Sequence, residues 1–512
     1  MPPQIHLCFS HRLRAEHQHQ EVCGDGRRRL LGTSGLTENV EDDAEYEARG
    51  GWLAEESLSS AVVEEDTSLG ISWGQLRPFG CKRRSRVNPA RSSCLRWAMA
   101  ALSLFLDVPL TREVDRLLDA YREDPSPDKV YLDHRDCQTE TGKVWVCPTV
   151  RQTLLQIAND PTLDHEYLPV LGSPEFTRAA TELALGRESR AVIENRAGGV
   201  HTVGGTGAVR IGAEFLRRWY NPSSPSPIAV YIALAQWDSL RCIFQDAGFT
   251  EIRPYHYWDT VRLAVAIEEF LEVLESAPAC SIVVLHAPEE TGLTLKQWEE
   301  VARVMGRKRL FPFFDVPAQG LASGDLDRDA WALRHFVAQG FELFCAQSFS
   351  KTFGLYDERV GNLIVVARDN ETLVGIRSQL QKQVTGTWAT PASLGARVIT
   401  TVLNNPALLN KWKQSLRMLA EKITLIREKL KEKLRILGTP GCWEHLTAQS
   451  GTRSFTGLLP SQVAFLEKHK HIYLLGSGQV SVCSINSHNL DYVAQSINEA
   501  VRAQGLSWAE TE

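Results

Sequence analysis

The sequence predicts an α/β protein built on a mainly parallel sheet, and three observations predict it. Short apolar runs at 228–234, 281–285, 310–314 and 341–350 alternate with helical segments, the rhythm of βαβ units. Two of these runs deliver a charged residue at their ends, Asp315 after 310–314 and Lys351 after 341–350. Between them, 327–340 starts on an aspartate and stops on Gly340, an amphipathic helix with both boundary signals. At 512 residues and 43% hydrophobic the chain can bury more than one core, so two or more domains are expected.

The strand–helix–strand unit at 310–351 matters most. As a parallel crossover it brings Asp315 and Lys351 out at one carboxyl edge of the sheet, where open α/β folds bind ligands. A lysine at the mouth of a buried strand is costly to desolvate. It either snorkels to water or has a task, and a Schiff base is one, because burial makes an amine nucleophilic. A carboxylate for a pyridinium nitrogen and a Schiff-base lysine are the protein's share of pyridoxal phosphate chemistry. Arg359 follows eight positions after Lys351, ahead of another apolar run at 363–366.

Taken in order, residues 1–98 read as a separate stretch without a core, disordered by composition: a His/Cys-bearing opening, an acidic middle and the basic cluster Lys82-Arg-Arg-Ser-Arg86. The His and Cys spacings fit no standard zinc site, so no metal is expected. Residues 110–150 read as a helix, a strand at 129–132 and a loop to Pro148. Val200-His-Thr-Val-Gly-Gly-Thr206 opens an amphipathic helix reaching Trp219, and glycines at a helix start let backbone amides and the helix dipole meet an anion. Taken alone, a plain turn is the better reading there. Past Leu403 the pattern is helical and charged through Lys433, and strands near 472–475 and 480–483 close a short αβ unit.

Composition sets the exclusions. A formal charge of −6 gives no basic footprint for nucleic acid. No run of eighteen apolar residues marks a membrane span, and the N-terminus lacks a signal core. Eleven cysteines, an odd number scattered through apolar segments, read as reduced thiols of a cytoplasmic protein.

The residues Phe313-Phe-Asp315 with the following Gln-Gly, Ala322-Ser-Gly-Asp, Asp329-Ala-Trp331 and Ser348-Phe-Ser-Lys-Thr-Phe-Gly-Leu-Tyr-Asp-Glu-Arg-Val-Gly-Asn362 closely resemble the aspartate aminotransferase family, its cytoplasmic kind in particular and a divergent second cytoplasmic branch most of all. The resemblance runs from near Leu102 to near Ala503 and has no counterpart for residues 1–98. Met99 stands where the family begins, so residues 1–98 are expected to come from an upstream start or gene model, which N-terminal mass spectrometry of native protein tests.

The resemblance implies the fold-type I architecture: a large domain at 151–402 holding a mixed, mainly parallel seven-stranded sheet between helices, and a smaller α/β domain from 99–150 and 403–512. It implies pyridoxal 5'-phosphate as cofactor and a homodimer with sites at the interface. Lys351 matches the Schiff-base lysine, Asp315 the pyridinium partner, and Arg359, Ser348, Gly205 and Thr206 the phosphate ligands. Trp237 matches the tryptophan stacked on the ring, and Tyr167 the tyrosine that reaches the partner subunit's phosphate. The family reaction is transfer of an amino group from aspartate to 2-oxoglutarate.

Several family positions depart. A tyrosine that bonds the cofactor's ring oxygen is Ala318, an asparagine-bearing segment is shortened to Pro288-Glu-Glu-Thr-Gly292, and the serine opening the phosphate loop is Gly204. The two arginines that clamp a dicarboxylic amino acid fall at Gln479 and Thr385, and a glycine that admits substrate is Arg135. Arg135 either restores a carboxylate partner or plugs the pocket. Weak recognition of aspartate and glutamate is expected. The rival readings are a retuned pyridoxal phosphate enzyme, such as a racemase, and a non-catalytic dimer partner.

Overall fold

The computed structural model describes residues 116–287 and 292–507, all within one compact unit, Asp107–Glu512. The expected N-terminal extension, with its His/Cys and basic clusters, lies outside the described residues, as do positions 288–291 of the shortened segment.

The chain pairs β1 (Val130–Tyr131) with a strand near its other end and then builds the main sheet from β2 (Ala197–Val203), β3 (Ala229–Ala233) and β4 (Glu251–Tyr255). A small pair, β5 (Trp258–Asp259) and β6 (Ala264–Val265), precedes β7 (Ile282–His286), β8 (Phe311–Val316), β9 (Leu343–Ser348) and β10 (Val360–Val366). The seven main strands lie in the order β2-β10-β9-β8-β7-β3-β4. Pairings among β9, β8, β7, β3 and β4 are parallel, whereas β10 runs antiparallel to both β9 and β2. The expected seven-stranded mixed sheet is therefore present. The reversal at β10 follows from the short connection after β9, which is too brief for a crossover of a dozen or more residues.

Side chains alternate across the sheet with period two. Phe313, Phe344 and Leu363 face the helix Gly204–Trp219, while Phe314, Cys345 and Ile364 face the helices Leu295–Lys308 and Trp331–Ala338. The expected helix over 327–340 is two pieces, Leu326–Asp329 and Trp331–Ala338, broken at Ala330. Asp329 explains the break: its carboxylate accepts from the backbone of Gly320 and Ala322 and from Ser323, so the first turn is tied to the loop after β8. Residues 200–203 also differ from expectation. They are the end of strand β2, and the helix starts only at Gly204.

Near the C-terminus, β11 (Arg453–Phe455) pairs antiparallel with β13 (Gln479–Ser481), and β12 (Ile472–Tyr473) pairs parallel with β1. The long helix Pro406–Ile436 buries Trp412, Leu416, Leu419, Ile423, Ile426, Leu430 and Leu434, a three-to-four spacing that turns one face to this αβ layer. Among the described residues no helix is long and apolar enough to cross a membrane. None of the described cysteines is in a disulfide, and Cys137, Cys147, Cys345 and Cys483 are buried.

Candidate active site

The carboxyl edge of the parallel strands gathers most of the predicted residues. β8 carries Asp315 near its end, and β7, its parallel neighbour, ends in His286, with His286 registered against Asp315. The His286 Nδ1 lies 3.2 Å from Asp315 Oδ2, with both side chains largely buried. That contact fixes which way the carboxylate faces. β9 ends at Ser348 and turns into the short helix Ser350–Phe353, which carries Lys351. The turn closes on Gly354 in the left-handed conformation. Lys351 is half-buried, and its Nζ donates to Thr452 Oγ1 at 3.0 Å. The amine is therefore turned inward and held, and it does not snorkel to water. Trp237 opens the helix after β3, half-buried, with the Arg241 guanidinium 5.5 Å over its ring.

The antiparallel strand completes the edge. β10 begins just after Arg359, so Arg359 stands beside the end of β2, with Val360 registered against Val203 and Gly361 against Ser348. Here two backbones approach so closely that only glycine fits: a Cβ on Gly361 would lie 2.3 Å from the Gly204 carbonyl. Gly204 donates its amide to the Arg359 carbonyl at 2.5 Å and has φ +65°, and a Cβ there would meet the Arg359 guanidinium at 2.8 Å. A Cβ on Gly205 would lie 3.1 Å from the Ser348 side chain. The family serine is thus replaced where the arginine head lies against the backbone. The start of the helix Gly204–Trp219, Arg359 and Ser348 form a cationic, amide-rich cradle. Ser350 adds a buried hydroxyl with no hydrogen-bond partner among the described residues.

The donor set fits pyridoxal phosphate. Arg359, Ser348, Ser350 and the amides at Gly205 and Thr206 suit a phosphate, Asp315 suits a protonated ring nitrogen, and Lys351 supplies the amine. Ser350 and His286 were missed in the sequence. The second had a signal: β7 and β8 are neighbouring apolar runs, and both end in a polar residue.

A second cluster lies on the other side of Lys351. Gln479 is buried, and its Oε1 accepts from Arg453 Nε at 3.2 Å. The Arg453 head also pairs with Asp133. Backbone pairing dictates this meeting. Arg453 is registered against Ser481, and the Ser481 amide donates to Leu132 O at 2.7 Å, so Asp133 emerges beside Arg453. The loop is tied again where the Cys137 amide donates to Tyr356 Oη at 2.9 Å. Arg427, buried in the long helix, donates to the carbonyls of Gly451, Ser450 and Arg453 and so pins the strand that carries Thr452 and Arg453. Arg135, on the same loop, is exposed in the single chain. Arg453 carried no signal in the sequence reading.

The remaining predicted residues stand apart. Tyr167 is 88% exposed on an extended segment, and Thr385 is exposed on the helix Asn370–Thr387, its hydroxyl turned back to Gln381 O. Ala318 is fully buried after β8.

An α/β sheet that presents a held lysine, an oriented aspartate and an anion cradle on one edge defines a protein equipped for fold-type I pyridoxal phosphate chemistry. Comparison with known proteins agrees. Residues 127–497 match aminotransferase class I and II. The cytoplasmic aspartate aminotransferase of Gallus gallus is 48% identical over 407 residues, covering 78% of this chain and 99% of that protein. Among solved structures, the cytoplasmic aspartate aminotransferase of Saccharomyces cerevisiae superposes with a TM-score of 0.74 at 34% identity, covering 78% and 98% of the two chains. The aromatic-amino-acid aminotransferase of Burkholderia pseudomallei, covalently bound to pyridoxal phosphate, gives 0.74 at 32%, covering 78% and 100%. The chain belongs to the aminotransferase class I and II family, as a pyridoxal phosphate-dependent transaminase of the aspartate aminotransferase type.

Proposed function

We propose that this protein binds pyridoxal phosphate through Lys351 and transfers amino groups between an amino acid and a 2-oxo acid, with weakened recognition of aspartate and glutamate. The observation that carries the reading is the placement of Lys351, Asp315 and the Gly205/Arg359 cradle on one sheet edge. When bound, pyridoxal phosphate supplies an electron sink that acidifies the substrate's Cα–H. Arg359, Ser348, Ser350, Gly205 and Thr206 would hold its phosphate, Asp315, oriented by His286, would keep the ring nitrogen protonated, and Trp237 would pack against the ring. Thr452 holds the Lys351 amine in place, and that amine moves the proton at Cα. Borohydride reduction followed by peptide mapping should label Lys351; a label elsewhere, or none, overturns the reading.

The substrate side is where this chain leaves the family pattern. Glutamine and threonine replace both clamp arginines, and each charged hydrogen bond is worth ~1.5–3 kcal/mol, so aspartate loses roughly 3–6 kcal/mol, about a hundred- to ten-thousandfold in affinity. Steady-state transamination with aspartate and 2-oxoglutarate at family-like efficiency would overturn this. The Arg453–Asp133 pair favours a second reading, an enzyme retuned to another amino acid. Cofactor bound with no turnover of any amino acid would instead identify a non-catalytic partner.

The proposal extends to assembly and place. The segments 99–150 and 403–512 make the small domain and 151–402 the large one, supported by the β1–β12 pairing. Exposed Tyr167 and the helix bearing Thr385 are suited to a two-fold partner, and light scattering should give a dimer. The cytoplasmic relatives support a cytoplasmic site of action.

A further inference from the structure

We propose that Arg453 is the carboxylate-reading cation of this site and that Asp133 is its built-in competitor, so that the site selects ligands with a single carboxylate. The inference rests on the proposed function, because it places a substrate beside Lys351. Position explains why Arg453 qualifies. Its neighbour Thr452 touches the Lys351 amine, and its own Nε touches Gln479, the residue standing at the lost clamp position. Arg453 directly follows the lysine's partner in the chain, and its head is held by Gln479 and Asp133 beside it. Its side chain is only 19% exposed, and Asp133, at 16%, shares that enclosure.

Asp133 cannot drift away when a ligand arrives. Leu132 is bonded to β13 on one side of it, and Cys137 to Tyr356 on the other. The tethered carboxylate therefore acts as an intramolecular ligand for the guanidinium. A cation engaged nine-tenths of the time lowers the apparent affinity of an incoming carboxylate about tenfold. A ligand's first carboxylate can displace Asp133 from the fork of Arg453, whose planar head suits either partner. A second carboxylate meets repulsion from the displaced Asp133, and Gln479 offers it no charge. The device therefore filters dicarboxylates out while keeping one carboxylate contact.

The test uses the full-length holoprotein and calorimetric titration with propionate and succinate as probes. Propionate should bind the parent weakly, and Asp133→Asn should tighten it by at least about tenfold, a gain that misfolding cannot imitate. Arg453→Gln should abolish propionate binding, in the parent and in the Asp133→Asn background, and Arg453→Lys should retain part of it. Succinate should be weaker than propionate in the parent, and Asp133→Asn should narrow the gap. No gain in Asp133→Asn, a gain that survives Arg453→Gln, or parent succinate binding tighter than propionate overturns the inference. Borohydride labelling of the same preparations separates the two claims: Lys351 labelled without the expected titrations sinks only this inference, whereas no label at Lys351 sinks the proposed function.

Discussion

The two sides of Lys351 are built differently. On the sheet side, Asp315, Ser348, Arg359 and Gly205 are each placed by a strand end, and strand register alone brings them together. On the other side, Asp133, Thr452, Arg453 and Gln479 come from a loop and two short strands, and they are placed by one another. The sheet side can be read one residue at a time. The loop-side residues hold one another, so a change at 479 acts on the whole group.

The largest expected effect belongs to the sheet side. Lys351→Ala should remove the borohydride-stable cofactor label entirely, while Asp133→Asn leaves it in place. Loss of the label in both would mean the two sides are one unit.

Next in size is repair of the clamp. Gln479→Arg with Thr385→Arg should raise aspartate turnover only about two- to threefold, because the new guanidinium would stand against Arg453 at the place where Gln479 now accepts its hydrogen bond. Adding Arg453→Met should lift the gain to tenfold or more in steady-state transamination. Arg135→Gly should change either result by less than about twofold, since that residue is exposed. A full gain from the two arginines alone would show that the loop side is additive after all.

Two substitutions test the supports beneath each side. Gly361→Ala forces a Cβ into the Gly204 carbonyl, backbone against backbone, and should cost ~3 kcal/mol in urea unfolding and displace the phosphate cradle. Arg427→Met keeps the apolar stem but leaves three carbonyls without their donor, at ~1–3 kcal/mol for each buried group. Its hydrogen exchange should rise at 450–455 while the Lys351 label persists.

The smallest effect concerns a buried histidine of the outer strand. His201 on β2 is fully enclosed, and burial pushes its pKa down to about 4 from 6.5. Between those values the unfolded chain binds a proton that the folded chain refuses, so stability present above pH 6.5 is lost as pH falls toward 4. His201→Asn should flatten that part of the stability–pH curve, and an unchanged slope would mean that other groups set it.

The sequence by itself determined the sheet side. An apolar run can hardly be anything but a buried strand, a strand in a βαβ unit has one exposed carboxyl edge, and a charge at that edge is therefore already located, as Asp315 and Lys351 are. The family resemblance also singled out Gln479, Thr385 and Ala318 as expected departures. Other features needed the fold. The strand 200–203 was hidden because its residues run straight into a glycine-rich helix start, and the break at Ala330 because Asp329 bonds to a loop that no period reveals. Only tertiary structure decided that Arg453 meets Asp133, since the two are 320 residues apart and are joined through Ser481 and Leu132, a contact made by backbone pairing between short strands and a loop whose side chains carry no pattern of their own.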